Sequence, residues 1–123
     1  MSKSKDVVNI LIQLVLGGIA VLLTQYLLPG VVVDSFLTAI VVAAMIALLN
    51  ITVKPILIFL TIPITLVTLG LFLLVINALL ILLAAEIIPG FLVNGFWWAL
   101  LFGLILGLIN SLLGVSLGGA PRP

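Results

Sequence analysis

Pro29-Gly30-Val31-Val32-Val33-Asp34-Ser35-Phe36 returns in outline as Pro89-Gly90-Phe91-Leu92-Val93-Asn94-Gly95-Phe96, shifted by 60 residues. Carried outward at the same shift, residues 10–50 lie over residues 70–110 without a gap, with Ala39 on Ala99 and Asn50 on Asn110. Leu11, Leu14, Val15, Leu22, Leu23 and Leu48 also meet identical residues, but such matches are cheap in a chain so rich in aliphatics. A repeat of fixed spacing sets the architecture. It predicts one apolar helical hairpin written twice in a single membrane domain, 1–123. Repeat 1 covers 10–50, a connecting segment 51–69, repeat 2 70–110, and a tail 116–123.

The composition explains why the hairpins must sit in lipid. Hydrophobic residues make up 66% of the chain and charged residues 6%. A soluble domain has about 45–50% and about 25%. Four cations and three carboxylates cannot cover a water-facing surface of this length. Cysteine and histidine are absent, which removes disulfides, thiol chemistry, Cys/His metal sites and imidazole acid–base catalysis. A net charge of +1 offers no basic face for nucleic acid. Residues 1–6 are short and charged, as in a signal peptide. The apolar run from Val7 to Leu28 is too long for a signal core and lacks an A-x-A site, so it reads as a retained first transmembrane helix.

A spanning helix needs about 20 mainly apolar residues. Four segments meet or approach this: 8–28, 35–53, 64–88 and 92–115. Hydrocarbon satisfies no backbone polar group, so these runs are expected to be helices, and the alternation of a barrel strand is missing. Pro29-Gly30 and Pro89-Gly90 supply the turns within the two hairpins. Tyr26, Phe36, Phe96, Trp97 and Trp98 gather around them, as aromatics do at a headgroup level. Lys3, Lys5, Lys54 and Arg122 fall on the opposite side, which the positive-inside rule makes cytoplasmic. The expected result is an all-α membrane protein of four transmembrane helices in two parallel hairpin repeats. It would be multi-pass in a bacterial inner membrane, with both termini cytoplasmic.

Between the repeats, Lys54, Pro55, Thr61, Pro63 and Gly70 interrupt an apolar stretch too short to cross a fifth time. A short re-entrant or interfacial helix near 53–61 is expected, with a break at Thr61-Ile62-Pro63 and the third spanning helix from about 64. Threonine hydroxyls would serve carbonyls that proline frees. One Pro-kinked helix over 56–88 is the alternative.

Asn50-x-x-Val53-Lys54-Pro55, Leu60-Thr61-Ile62-Pro63-Ile64-Thr65-Leu66-x-Thr68-Leu69-Gly70, Ile76-Asn77-Ala78-Leu79 and Pro89-Gly90-Phe91-x-Val93-x-Gly95-Phe96-Trp97 occur in that order. In this the chain resembles the bacterial phage holin family, grouped with a mycobacteriophage four-helix holin superfamily, superfamily IV. The resemblance covers nearly the whole chain. It implies four membrane helices, and oligomers that disturb or perforate the bilayer.

The candidate functional residues follow from membrane chemistry. Asn50, Asn77 and Asn110 lie in or beside apolar helices, where an amide needs a partner. They read as a polar line through the bundle, as packing glue, or as caps. Ala39, Ala43 and Ala47, then Ala99, Gly103 and Gly107, put small residues on one helix face, for packing within the chain or for self-association. Glu86 is the carboxylate inside an apolar run, one turn before Pro89, within reach of the headgroups. Lys54 reads as a positive-inside anchor or a partner for lipid phosphate. No nucleophile stands with a base, so no enzyme and no cofactor are expected. The expected partners are the lipid bilayer and further copies of the chain or another membrane protein, with no small-molecule substrate. A channel or transporter using the broken 55–70 segment, or an accessory subunit of a larger membrane complex, are the rival readings.

Overall fold

The computed structural model describes residues 3–115, residue 3 by its backbone alone. Helix α1 runs Lys3–Leu27, strand β1 Val31–Val33, α2 Phe36–Leu60, α3 Ile62–Val67, α4 Phe72–Ile87, strand β2 Phe91–Val93 and α5 Phe96–Leu113. Three helices are long and apolar enough to cross a membrane: α1, α2 and α5. The fourth, α4, is apolar but has 16 residues, about 24 Å at the helical rise. The four pack as a ring in the order α1–α2–α4–α5, each against two neighbours. Their buried stripes, including Val21, Val42, Ile46, Ile76, Ile81, Phe102 and Leu106, meet in one core.

The expected helical character holds, but the connecting segment is built differently. α2 does not stop near residue 53. It passes through Pro55 and continues to Leu60, so residues 53–60 are its last turns and not a separate helix. Proline removes one internal hydrogen bond, and in an apolar run nothing competes for the backbone groups that remain. The chain does break at Thr61. A second break follows at Leu69-Gly70, both with positive φ, so α4 begins at Phe72 and not near 64. The short helix between hairpins is therefore α3.

Sequence reading also passed over a strand pair. β1 and β2 form an antiparallel ladder with Val31 opposite Val93, Val32 opposite Leu92 and Val33 opposite Phe91. The Asp34 N–H donates to Gly90 O at 3.0 Å and the Asn94 N–H to Gly30 O at 2.9 Å, extending the ladder at both ends. Three β-branched valines between a turn and the N-cap Ser35 were the local signal, but three residues are too few to show alternation. Val31 and Val93 form a non-hydrogen-bonded pair, the closer kind in an antiparallel ladder. In this cysteine-free chain, Val31→Cys with Val93→Cys is expected to give an intrachain disulfide on mild oxidation, read as a mobility change on non-reducing gels. Val32→Cys with Val93→Cys, out of register and on opposite faces, should not.

Candidate functional site

The features that could carry function lie at the two ends of the helix ring. At one end the ladder forms a lid. Alternate strand residues point to opposite faces, so Val31, Val33 and Phe91 are buried against the helices while Val32 and Leu92 face outward. Phe91 is fully buried, its ring 5.5 Å from that of Phe102 at 51°. The turns depend on Gly30 and Gly90. A Cβ on Gly30 would enter the Trp98 indole, and Gly90 has φ +87° beneath the Asp34 carboxylate. Pro29 and Pro89 are exposed just before them.

Two side chains close backbone groups at this end. Gln25 Oε1 accepts from the Val33 N–H at 3.3 Å. Ser35 Oγ accepts from the Thr38 N–H at 3.1 Å, capping α2. Residues 60 positions later are Ala85 and Gly95, and the N-terminus of α5 has no side-chain cap. Glu86 is exposed in the last turn of α4, as Tyr26 is in α1. Neither Gln25 nor Trp98's seat on Gly30 was legible locally, because each reaches a partner in another element.

Toward the opposite end Val115 is buried, and Val53, Leu57 and Ile58 pack against the core. Asn110 is half-buried near the end of α5, whereas Asn50 is half-buried in the middle of α2, which runs on to Leu60, so it does not cap that helix. Among the described residues, two buried side-chain oxygens have no hydrogen-bond partner: Thr65 Oγ1 and Asn110 Oδ1. Asn50 has a partner. Asn77 is half-buried one turn nearer the ladder. Its amide lies against Gly103, where an added Cβ would meet it. In the connection, the Thr61 hydroxyl donates to Leu57 O at 2.7 Å and the Thr68 hydroxyl to Ile64 O at 3.0 Å. Thr68 Oγ1 also accepts from the Phe72 N–H at 3.2 Å. These hydroxyls serve helix ends, while Leu66, Val67, Leu69 and Leu71 face outward. Lys54 is half-buried on α2, Pro55 and Pro63 are exposed, and Gly70 has φ +89°. Arg122 and the tail 116–123 lie outside the described residues.

The small-residue faces divide between two uses. Ala39, Ala43 and Ala99 are fully buried inside the ring and Ala47 is half-buried. Gly103 is taken up by Asn77 and Ile81 of the same chain. Gly107 is exposed, and a Cβ there would meet no other element within 4 Å among the described residues.

Comparison with known proteins agrees with this architecture. The family described as mycobacterial 4 TMS phage holin, superfamily IV, matches residues 8–112. An uncharacterized protein of Streptomyces coelicolor is 44% identical over 88 residues, covering 68% of this chain and 70% of its own. The uncharacterized membrane protein YvlD of Bacillus subtilis is 35% identical over 107 residues, covering 86% and 83%. No solved structure matches.

Proposed function

This chain belongs to the mycobacterial 4 TMS phage holin family, superfamily IV, and from that premise we propose that it is a non-enzymatic inner-membrane protein that self-associates and permeabilises the bilayer. The observation that carries the reading is the exposed surface. All four ring helices turn bulky apolar side chains outward: Leu23 on α1, Leu48 on α2, Leu79 on α4, and Leu101, Leu104 and Leu108 on α5. Lipid or another such surface can cover them. Within that surface Gly107 is a small exposed residue of α5 at which an added Cβ would meet no other helix among the described residues, so a second copy can approach there closely.

Two hairpins pointing the same way belong to this reading. In its support, the ladder maps onto itself when each residue is exchanged for the one 60 positions away: Val31–Val93 becomes Phe91–Val33, and Asp34-to-Gly90 becomes Asn94-to-Gly30. A two-fold axis along the membrane normal generates such a pattern. Lys5 and Lys54 lie on the side away from the ladder, so the positive-inside rule turns the lid outward and the termini to the cytoplasm.

The test is the mass of the particle in mild detergent, together with dye or ion leakage on expression. Several copies per particle and leakage are expected. Gly107→Leu should reduce the copy number and leakage while leaving the helical content unchanged, because the site is exposed and a Cβ there meets no other helix among the described residues. A monomeric, non-leaking wild-type protein would remove the proposal.

A further inference from the structure

Helices α1 and α2 touch on the ladder side and part at the other end. A Cβ on Gly18 of α1 would strike Ile40 of α2, so those two faces are in contact. Residues seven apart share a side of a helix. Ile40, Ala47 and Lys54 therefore line the α1-facing side of α2, and Gly18 and Leu11 the α2-facing side of α1. Gly18 is buried, yet Leu11 is 55% exposed, and residues 4–12 are exposed at every position. α2 keeps its packing over the same depth, with Val53, Leu57 and Ile58 against the core. It is α1 that leaves the bundle.

A charge stands where they part. Lys54 is half-buried and lies eighteen positions from the ladder-side end of α2, and Leu11 lies sixteen from that of α1, about 27 and 24 Å along the helices. From the lid this is close to one hydrocarbon thickness of about 30 Å. Among the described residues no carboxylate pairs with Lys54, and both Asp34 and Glu86 stand at the ladder end. Toward the ladder the outer seam of the two helices is apolar, with Val15 on α1 and Leu48 and Ile51 on α2 all exposed. An unpaired ammonium at headgroup depth beside an apolar groove has the polarity order of a phospholipid. A second copy seated here about a two-fold axis would instead set its own Lys54 against this one, and like charges repel.

We propose that the groove between the diverging ends of α1 and α2 seats an acidic phospholipid of the leaflet on the lysine side. Its phosphate meets the Lys54 ammonium. Its acyl chains run toward the ladder along Leu11 and Val15 on one wall and Ile51 and Leu48 on the other. The lysine's methylene stem lies along α2 while its charge reaches the headgroup, as long cationic side chains do at an interface. The closed contact at Gly18 and Ile40 keeps the acyl chains out of the core, so they stay on the outer seam. The lipid takes the place against α1 that α2 gives up below Gly18. This goes beyond the proposed function and requires neither self-association nor leakage.

Lipid retention tests it. The full chain is placed in nanodiscs of mixed phosphatidylglycerol and phosphatidylcholine and extracted into mild detergent. The lipid left on the intact particle is then counted by native mass spectrometry. The wild-type protein should keep phosphatidylglycerol in preference to phosphatidylcholine. Lys54→Gln should lower that retention about five-fold, and Lys54→Arg should preserve it. Lys5→Gln removes the same charge from the same end, at a residue that has a partner of its own, and should leave most of it. Leu11→Trp, which fills the groove and keeps the charge, should also lower it, and it decides the matter should Lys54→Gln fail to fold. Unchanged retention in Lys54→Gln overturns the proposal, as does an equal loss in Lys5→Gln, which would show only the general charge of this end. Leu11→Cys, in a chain without natural cysteine, gives the remaining check: disulfide-linked dimers on mild oxidation would put a second copy in the groove and overturn the lipid. A monomeric, non-leaking protein that keeps its phosphatidylglycerol upholds the groove while the proposed function falls.

Discussion

Replacing Phe91 by alanine is expected to destabilise the detergent-solubilised protein by about 3–5 kcal/mol. The ring is fully buried beneath the ladder and pairs with Phe102. That pairing adds about 0.5–1.5 kcal/mol beyond ordinary burial. Between packed helices in a membrane the driving force is close packing rather than escape from water, so a gap under the lid loses dispersion contacts that nothing replaces. The ladder above is two strands of three residues and cannot collapse into the gap without breaking its register. The measurement is unfolding by denaturing detergent or heat, followed by circular dichroism. Leu92→Ala, on the outward face of the same strand, should cost less than about 1 kcal/mol. Comparable losses at the two positions would show that the lid does not face as described.

Gly30→Ala is expected to cost about 1–3 kcal/mol through overpacking. The added methyl would enter the face of the Trp98 indole, and both five- and six-membered ring atoms stand in its way. The indole cannot yield by a few tenths of an ångström. It must leave its seat, and the hold of α5 on the first turn goes with it. Trp98→Ala in the Gly30→Ala background should therefore recover stability. The double variant should be milder than the sum of the singles by about 0.5–3 kcal/mol, as expected of residues in direct contact. Strict additivity would mean that the alanine acts on the turn backbone and not through Trp98. Gly90→Ala offers a contrast: φ +87° disfavours any side chain there, so removing Asp34 should recover little.

The break at Thr61 was readable because Pro63 cannot donate its N–H and Thr61 can bond back to Leu57. The end of α2 was not. Pro55 weighs against a helix in a local reading, but an apolar run in a non-competing solvent carries the helix past it. The onset of α4 turned on Leu69-Gly70, where leucine at positive φ contradicts its usual preference. Glycine at 70 was visible as a break, but nothing local says that the residue before it also turns over.

The two ends of the bundle differ in legibility for a related reason. Aromatics and Pro-Gly turns marked the lid as an interface, yet the ladder that makes it a lid joins segments about sixty residues apart. At the other end Asn50 was visible as an amide beside an apolar run, but its place in the middle of α2 followed only from that helix passing through Pro55.

Solvent class, family and turn positions are properties of composition and local chemistry. A chain two-thirds apolar and nearly without charge has one medium available to it, and Pro-Gly ends a helix wherever it stands. Which turn would pair with which, and which glycine would be filled by a neighbour and which left bare, were settled only by tertiary packing. Each is a relation between surfaces remote in the chain, and aliphatic side chains that look alike in sequence do not announce which surface they will meet.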